Sequence, residues 1–191
     1  MTRESQWSRK KRRKSMDKRF NRIIQKTLHF EMGSTNGYSD VVGDTGGVTF
    51  MGVTMKSHPE LSIWKSLHYL TERERKAYRP TDKELTEIYQ CYYDRYYLSN
   101  RINELNDDNL ALNVFDMCVN AGKWGVRLLQ RVVGEKEDGI LGDRTLKAAN
   151  SRDVLNEYRK ARRQYYVSVS KKGNNSKFLR GWLRRTDECI L

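Results

Sequence analysis

Apolar residues recur along most of this chain at the three-and-four spacing of helices, with one interruption near its start. Phe20, Ile23, Ile24, Thr27 and Leu28 fall on one stripe and predict an amphipathic helix over residues 17–31. There the pattern stops. Five glycines (Gly33, Gly37, Gly43, Gly46 and Gly47) and two aspartates follow, then a short β-rich run, Val48, Thr49, Phe50 and Met51, that reaches Gly52. Gly46 and Gly47 mark a tight hairpin turn.

Helical periodicity then resumes. Ser57 and Glu60 read as a capping box around Pro59, opening a helix with Leu61, Trp64 and Leu67 on one face. Residues 71–79 are charged enough to be a short helix or an exposed connection, ended by Pro80. Thr81 and Glu84 make a second capping box before a helix over residues 82–98 that carries Leu85, Ile88 and the tyrosines 89, 92, 93, 96 and 97. Asn106 or Asp107 caps the next helix, whose face is Leu110, Val114, Phe115, Cys118 and Val119 and whose stop is Gly122. A helix from Trp124 ends at Gly134, Asp138 and Gly139 turn the chain, and another helix from Asp143 carries Leu146. Residues 151–170 place Val154, Leu155, Tyr158, Ala161, Tyr165, Tyr166 and Val169 inward, with Arg152, Arg159, Lys160, Arg162 and Arg163 mainly outward. A final helix over 178–185 returns Trp182 to the core, leaving a loose tail to Leu191. The fold class is mainly α, a helical bundle with one small β hairpin.

The interruption is the stretch with chemistry in it. Glu31 stands at a helix C-terminus, where the dipole is negative and the neutral carboxylic acid is favoured, as a proton donor requires. Facing it is a glycine-rich hairpin with Asp40, Asp44 and Thr49. An acid and a second carboxylate are what cleavage of a glycosidic bond needs: one protonates the leaving oxygen, and the other activates water or meets the oxocarbenium-like centre. The alternative is an ordinary surface turn, in which Asp and Gly also cluster. The tyrosine-rich helix can likewise be core, or turn one or two rings toward a sugar groove.

Charge narrows the partners. Thirty-seven Lys and Arg against 24 Asp and Glu give a formal charge of +13, which calls for a polyanion: nucleic acid, anionic lipid or the bacterial envelope. Seven basic residues lie within residues 1–16, a disordered arm without the helix-turn-helix or aromatic platform of a base reader. No apolar run reaches membrane-spanning length, and the basic start lacks the apolar segment of a secretory signal. The expectation is synthesis in the cytoplasm. Three cysteines, Cys91, Cys118 and Cys189, form no C-x-x-C pair and read as reduced core or tail residues; with three scattered histidines, structural zinc is not expected. At 191 residues the chain suits about one domain, burying roughly 70 per cent of its unfolded surface.

The residues Glu31, Tyr38, Asp44, Gly46, Gly47, Thr49, Gly52, Val53 and Thr54 resemble the signature of the glycoside hydrolase 108 family of N-acetylmuramidases. One departure is that Tyr38 follows Glu31 by seven residues where the family has three, so four residues are inserted. Asp40 then sits at the family's distance for the second carboxylate, whereas Asp44 keeps the Gly-Gly-Val-Thr context. A second resemblance, to the peptidoglycan-binding region of the same family, runs through Phe115, Asp116, Asn120, Gly122, Leu129, Gln130, Asp138, Gly139, Ile140, Gly142, Thr145, Leu146, Gly181, Trp182 and Arg185.

The resemblance implies a lysozyme-like α+β fold with the hairpin lining a cleft, a muramidase region over 17–105 and a helical peptidoglycan-binding region over 106–191, packed as one unit. It implies Glu31 as general acid, Asp44 or Asp40 as second carboxylate, Thr49 orienting water, and Tyr38, Tyr93 and Asn120 on the substrate. No cofactor or metal is implied, since side chains cover both proton transfer and charge stabilisation. The expected partners are peptidoglycan glycan strands, with the basic arm on the anionic envelope and no specific nucleic acid. The expected state is a monomer without a signal peptide or transmembrane segment, reaching the wall after release or holin-type export, as an endolysin does.

Overall fold

The carboxylate of Asp17 accepts the Phe20 amide at 2.6 Å and starts helix α1, Lys18–Met32. All five residues of its predicted stripe are buried. The computed structural model describes residues 16–32, 36–40 and 47–191, with Glu31 described by its backbone alone. The basic arm up to residue 15 and Asp44 lie outside the described residues.

Among the described residues, nine α-helices surround one apolar core, and a two-stranded sheet sits at its edge. The helices after α1 are α2 (Ile63–His68), α3 (Glu72–Ala77), α4 (Asp82–Tyr92), α5 (Asp108–Ala121), α6 (Trp124–Val133), α7 (Asp143–Asn150), α8 (Leu155–Ser170) and α9 (Leu179–Glu188).

Helix α5 is the axis. Asp107 caps it through the Leu110 amide, and every residue from Leu110 to Cys118 is buried, as a helix apolar on all sides must be. Each large aliphatic side chain so buried contributes about 1.5–3 kcal/mol. Helix α1 runs parallel to it. At one end Arg19 pairs with Asp108 at 2.7 Å and donates to the Asp107 carbonyl, with Arg22 also on Asp108. Toward the other end the Phe30 ring lies 5.2 Å from the Arg185 guanidinium, which itself holds Asp116. The last turn of α1 is thus linked through Arg185 to the second half of α5.

Arg162, expected on the outer face of α8, is wholly buried, which corrects that expectation. The reason is Asp116, also wholly buried on α5. Arg162 donates to the Asp116 carboxylate at 2.7 Å and to the Asn113 side-chain oxygen at 2.8 Å, while Arg185 from α9 grips the other Asp116 oxygen at 2.7 Å. Burial opposes the charge on Arg162 and Asp116 more than offsets it, so the guanidinium stays protonated. The tail expected to be loose is also tied. Cys189 is buried, its carbonyl accepts from Asn113 at 2.8 Å, and the Leu191 amide donates to Asn109 at 2.8 Å.

The capping box at Thr81 and Glu84 forms as expected, and a further one forms at Thr71 and Glu74 to start α3. The box expected at Ser57 and Glu60 does not form. Ser57 is engaged by Thr54, Glu60 by His58, and α2 begins only at Ile63. Beyond α4 the helix continues to Leu98 as a wider π turn, Tyr93–Leu98.

The hairpin pairs β1 (Thr49–Phe50) with β2 (Val53–Thr54) through a two-residue turn at Met51 and Gly52, while the turn expected at Gly46 and Gly47 falls on a stretch that, up to Gly46, lies outside the described residues. Both turn residues have positive φ, 49° and 78°, the twist that suits a two-residue hairpin. The turn is bolted to α4: the buried Tyr92 hydroxyl donates to the Met51 carbonyl at 2.9 Å. A Cβ on Gly52 would stand 2.3 Å from that hydroxyl, so only glycine fits.

Two outcomes follow for stability. Asp116→Asn leaves Arg162 buried against half a partner and should cost about 3–5 kcal/mol in urea unfolding, and a change within experimental error would show the pair to be dispensable. Gly52→Ala should cost about 1–3 kcal/mol by overpacking, part of which Tyr92→Phe in the same chain restores. An equal cost with and without the Tyr92 hydroxyl would show that this contact is not what demands glycine.

Candidate active site

The last turn of α1 ends against the hairpin. The Met51 amide donates to the Gly37 carbonyl at 3.2 Å, and Met32 Cγ lies 3.3 Å from where a Cβ on Gly37 would stand. The backbone of Glu31 thus stands one residue before the side chain that meets Gly37 next to Met51, and at the negative end of the helix dipole. Its side chain, like Asp44, lies outside the described residues.

Ser39 and Thr49 exchange both backbone hydrogen bonds, at 2.9 and 2.8 Å, adding a bridge to the outer side of β1. Pairing then sorts the side chains. Ser39, Thr49 and Thr54 share one face of this small sheet, and Tyr38, Asp40 and Phe50 take the other. On the first face Thr49 and Thr54 are half-buried and Ser39 is exposed; the Thr49 hydroxyl donates to the Gly47 carbonyl at 3.3 Å. On the second face Phe50 is in the core, and the Tyr38 hydroxyl is held between Arg75, which donates to it at 3.1 Å, and Asp40, which accepts from it at 3.5 Å. Asn36 anchors the approach to this strand, donating to the carbonyls of Arg75 and Tyr78 at 2.6 and 3.0 Å. Asp40 and Thr49 are neighbours along the sheet but face opposite ways.

A cavity of about 190 Å³ opens beside β2, lined by Thr54, Ser57, His58, Cys91, Tyr92, Arg95 and Tyr96. Tyr92 and Tyr96 stack with ring centres 5.8 Å apart, and the Arg95 guanidinium lies 5.7 Å from the Tyr96 ring. Tyr93 is not brought to this end of the molecule. Its ring packs edge-on to Phe20 at 4.8 Å and stacks on Tyr97 at 5.5 Å, near the start of α1, roughly 16 Å along that helix from Glu31. Burial first, and Asp17 second, raises the pKa of its hydroxyl. Asn120 is exposed on the last turn of α5, at the end shared with Glu31, its amide donating to the Asp116 carbonyl at 2.7 Å.

The structure therefore gathers the backbone of Glu31 with Tyr38, Asp40 and Thr49, sets Asn120 at the same end, and leaves Tyr93 apart. Arg75 and Asn36 complete the surroundings and were not legible as site residues, and Tyr92 and Tyr96 are the rings of the tyrosine-rich helix that reach this end. Arg75 hides in a charged run, and the stripes 92/96 and 93/97 are equivalent until the π turn fixes which faces the hairpin. Among the described residues His58, Glu60 and Cys91 are the group whose donor atoms converge as metal ligands do.

Residues 24–122 match the family described as Glycosyl hydrolase 108, and residues 124–187 match the one described as Predicted Peptidoglycan domain. No curated protein matches the chain. Among solved structures, SagA of Brucella abortus is 26% identical with a TM-score of 0.63, over 89% of this chain and 90% of that one. The two matched segments meet at Gly122–Lys123, yet Asp116 of the first is held by Arg162 and Arg185 of the second. With the first match covering more than half of its residues, the chain belongs to the glycosyl hydrolase 108 family of peptidoglycan hydrolases, on a mainly α, lysozyme-like fold.

Proposed function

We propose that this protein is an N-acetylmuramidase that hydrolyses the β-1,4 bond between N-acetylmuramic acid and N-acetylglucosamine in peptidoglycan, in the role of an endolysin. The observation that carries this reading is the abutment of the α1 C-terminal turn, which bears Glu31, on the hairpin that bears Thr49. Glu31 donates its proton to the glycosidic oxygen as the C1–O bond breaks. The second carboxylate takes the proton of the attacking water or stabilises the cationic C1, and Thr49 orients that water.

Asp44 suits the second role better than Asp40. Asp40 shares its face with Tyr38 and Arg75, away from Thr49, where it holds the tyrosine rather than a sugar. The lengthened stretch between Glu31 and Tyr38 need not spread the site, because Asn36 within it is fastened to the Arg75 and Tyr78 carbonyls. Tyr38 is a positioning residue in this scheme, and Asn120 and Tyr96 are the groups suited to meet the glycan from either side.

The charge of +13 concentrates the enzyme at anionic wall polymers, the basic arm adding to that attraction. The protein acts as a monomer with no specific nucleic-acid partner, and reaches the wall after release from the cytoplasm or through a holin-type lesion.

Glu31→Gln should lower the release of reducing ends from purified peptidoglycan by about 100-fold to 10,000-fold with an unchanged melting temperature. Asp44→Asn should follow it closely and Asp40→Asn should fall much less; lysis retained in Glu31→Gln, or the reverse order of the two aspartates, would reassign the roles. Turbidity clearing of whole walls should weaken as salt is added, while hydrolysis of a short neutral glycan fragment stays level. Equal salt dependence for both substrates would remove charge as the means of attraction.

A further inference from the structure

Behind the hairpin, the loop that leads from β2 to α2 meets the side of α4. His58 Nδ1 lies 3.2 Å from a Glu60 carboxylate oxygen and 3.6 Å from Cys91 Sγ, and the three donor atoms all fall within 4.8 Å of one another. We propose that His58, Glu60 and Cys91 form a zinc site that fastens this loop to α4, with water in the fourth position.

Two of the three separations are those of a metal's coordination shell, and the third, within 4.8 Å, closes by rotation of the largely exposed Glu60 side chain. With Zn–N and Zn–O near about 2.0–2.2 Å and Zn–S near about 2.3 Å, the edges of a tetrahedron are about 3.3 Å from N to O and about 3.6 Å from N to S. Without a metal the Cys91 thiol donates to the Glu87 carbonyl at 3.3 Å, and the single His58 Nδ1 serves Glu60 or Cys91 in turn; a cation takes a lone pair from all three at once.

The surroundings agree. Arg95 is the positive group on the same wall, and a site of one thiolate and one carboxylate outweighs it. His58 and Cys91 also line a second opening of about 980 Å³ with Glu60, which gives the ion a path from solvent. The His58 carbonyl is fixed by the Trp64 indole at 2.6 Å, which holds the backbone of the loop that carries this ligand.

Binding replaces the Cys91 S–H bond by an S–Zn bond and releases that proton to solvent. The imidazole and the carboxylate contribute lone pairs, and two negative ligands leave the complex with Zn²⁺ uncharged.

The experiment is a cobalt(II) titration of the untagged full chain, read by absorption. The expected result is a thiolate-to-cobalt charge-transfer band with the strong visible bands of tetrahedral cobalt, saturating at one equivalent and bleached by zinc. Cys91→Ser should abolish the charge-transfer band, and Glu60→Gln, at a largely exposed side chain, should weaken the affinity by about 10-fold or more. No band, a band that survives Cys91→Ser, or an affinity unmoved by Glu60→Gln would each overturn the site. If Cys91→Ser does not fold, the Glu60→Gln shift decides alone.

Discussion

The carboxylate of Asp116 has no access to water, and the bundle is arranged so that it never needs any. Arg162 reaches it from α8 and Arg185 from α9, while Asn113, one turn earlier on the same helix, takes the remaining reach of Arg162 and ties the C-terminal tail. A buried charge with one partner missing is far more costly than none, so the three helices must assemble together or not at all. That constraint binds the segment matched to the hydrolase family to the segment matched to the peptidoglycan domain, although the sequence boundary between them is a single residue.

From this anchor the end of the bundle that bears Glu31 takes its position. Arg185 also lies over Phe30, which ties the final turn of α1 to the same buried carboxylate. The hairpin is then fixed from two directions, by Met32 packing near Gly37 and by the Tyr92 hydroxyl on the Met51 carbonyl. A two-stranded sheet of two residues each has no stability of its own. Its place is set by helices it does not belong to, and the orientation of Thr49 depends on that docking.

The second face of the same hairpin serves a different purpose. Arg75, Tyr38 and Asp40 form a hydrogen-bonded row that joins the strand to the α3 segment, and Asn36 adds two bonds to the carbonyls there. One side of the sheet is thereby committed to holding the element in place. The other carries Thr49 and Thr54, the second of which lines the cavity with Tyr92 and Tyr96.

Local pattern alone determined the helices, their approximate ends and the buried stripe of α1, because periodicity and capping are properties of neighbouring residues. It also marked the glycine-rich stretch after Glu31 as the departure from packing, and the ordered motifs there and beyond Phe115 carried the family. Tertiary structure alone decided that Arg162 points inward, since no periodicity signals that a carboxylate 46 residues earlier waits to receive it. It likewise placed the hairpin turn at Met51 and Gly52, turned Asp40 away from Thr49, and gave the hairpin Tyr96 instead of Tyr93. It also brought Cys91 to His58 and Glu60 across more than 30 residues. Each of these depends on which surface an element meets, and a contact between distant residues is fixed by packing that the local sequence does not encode.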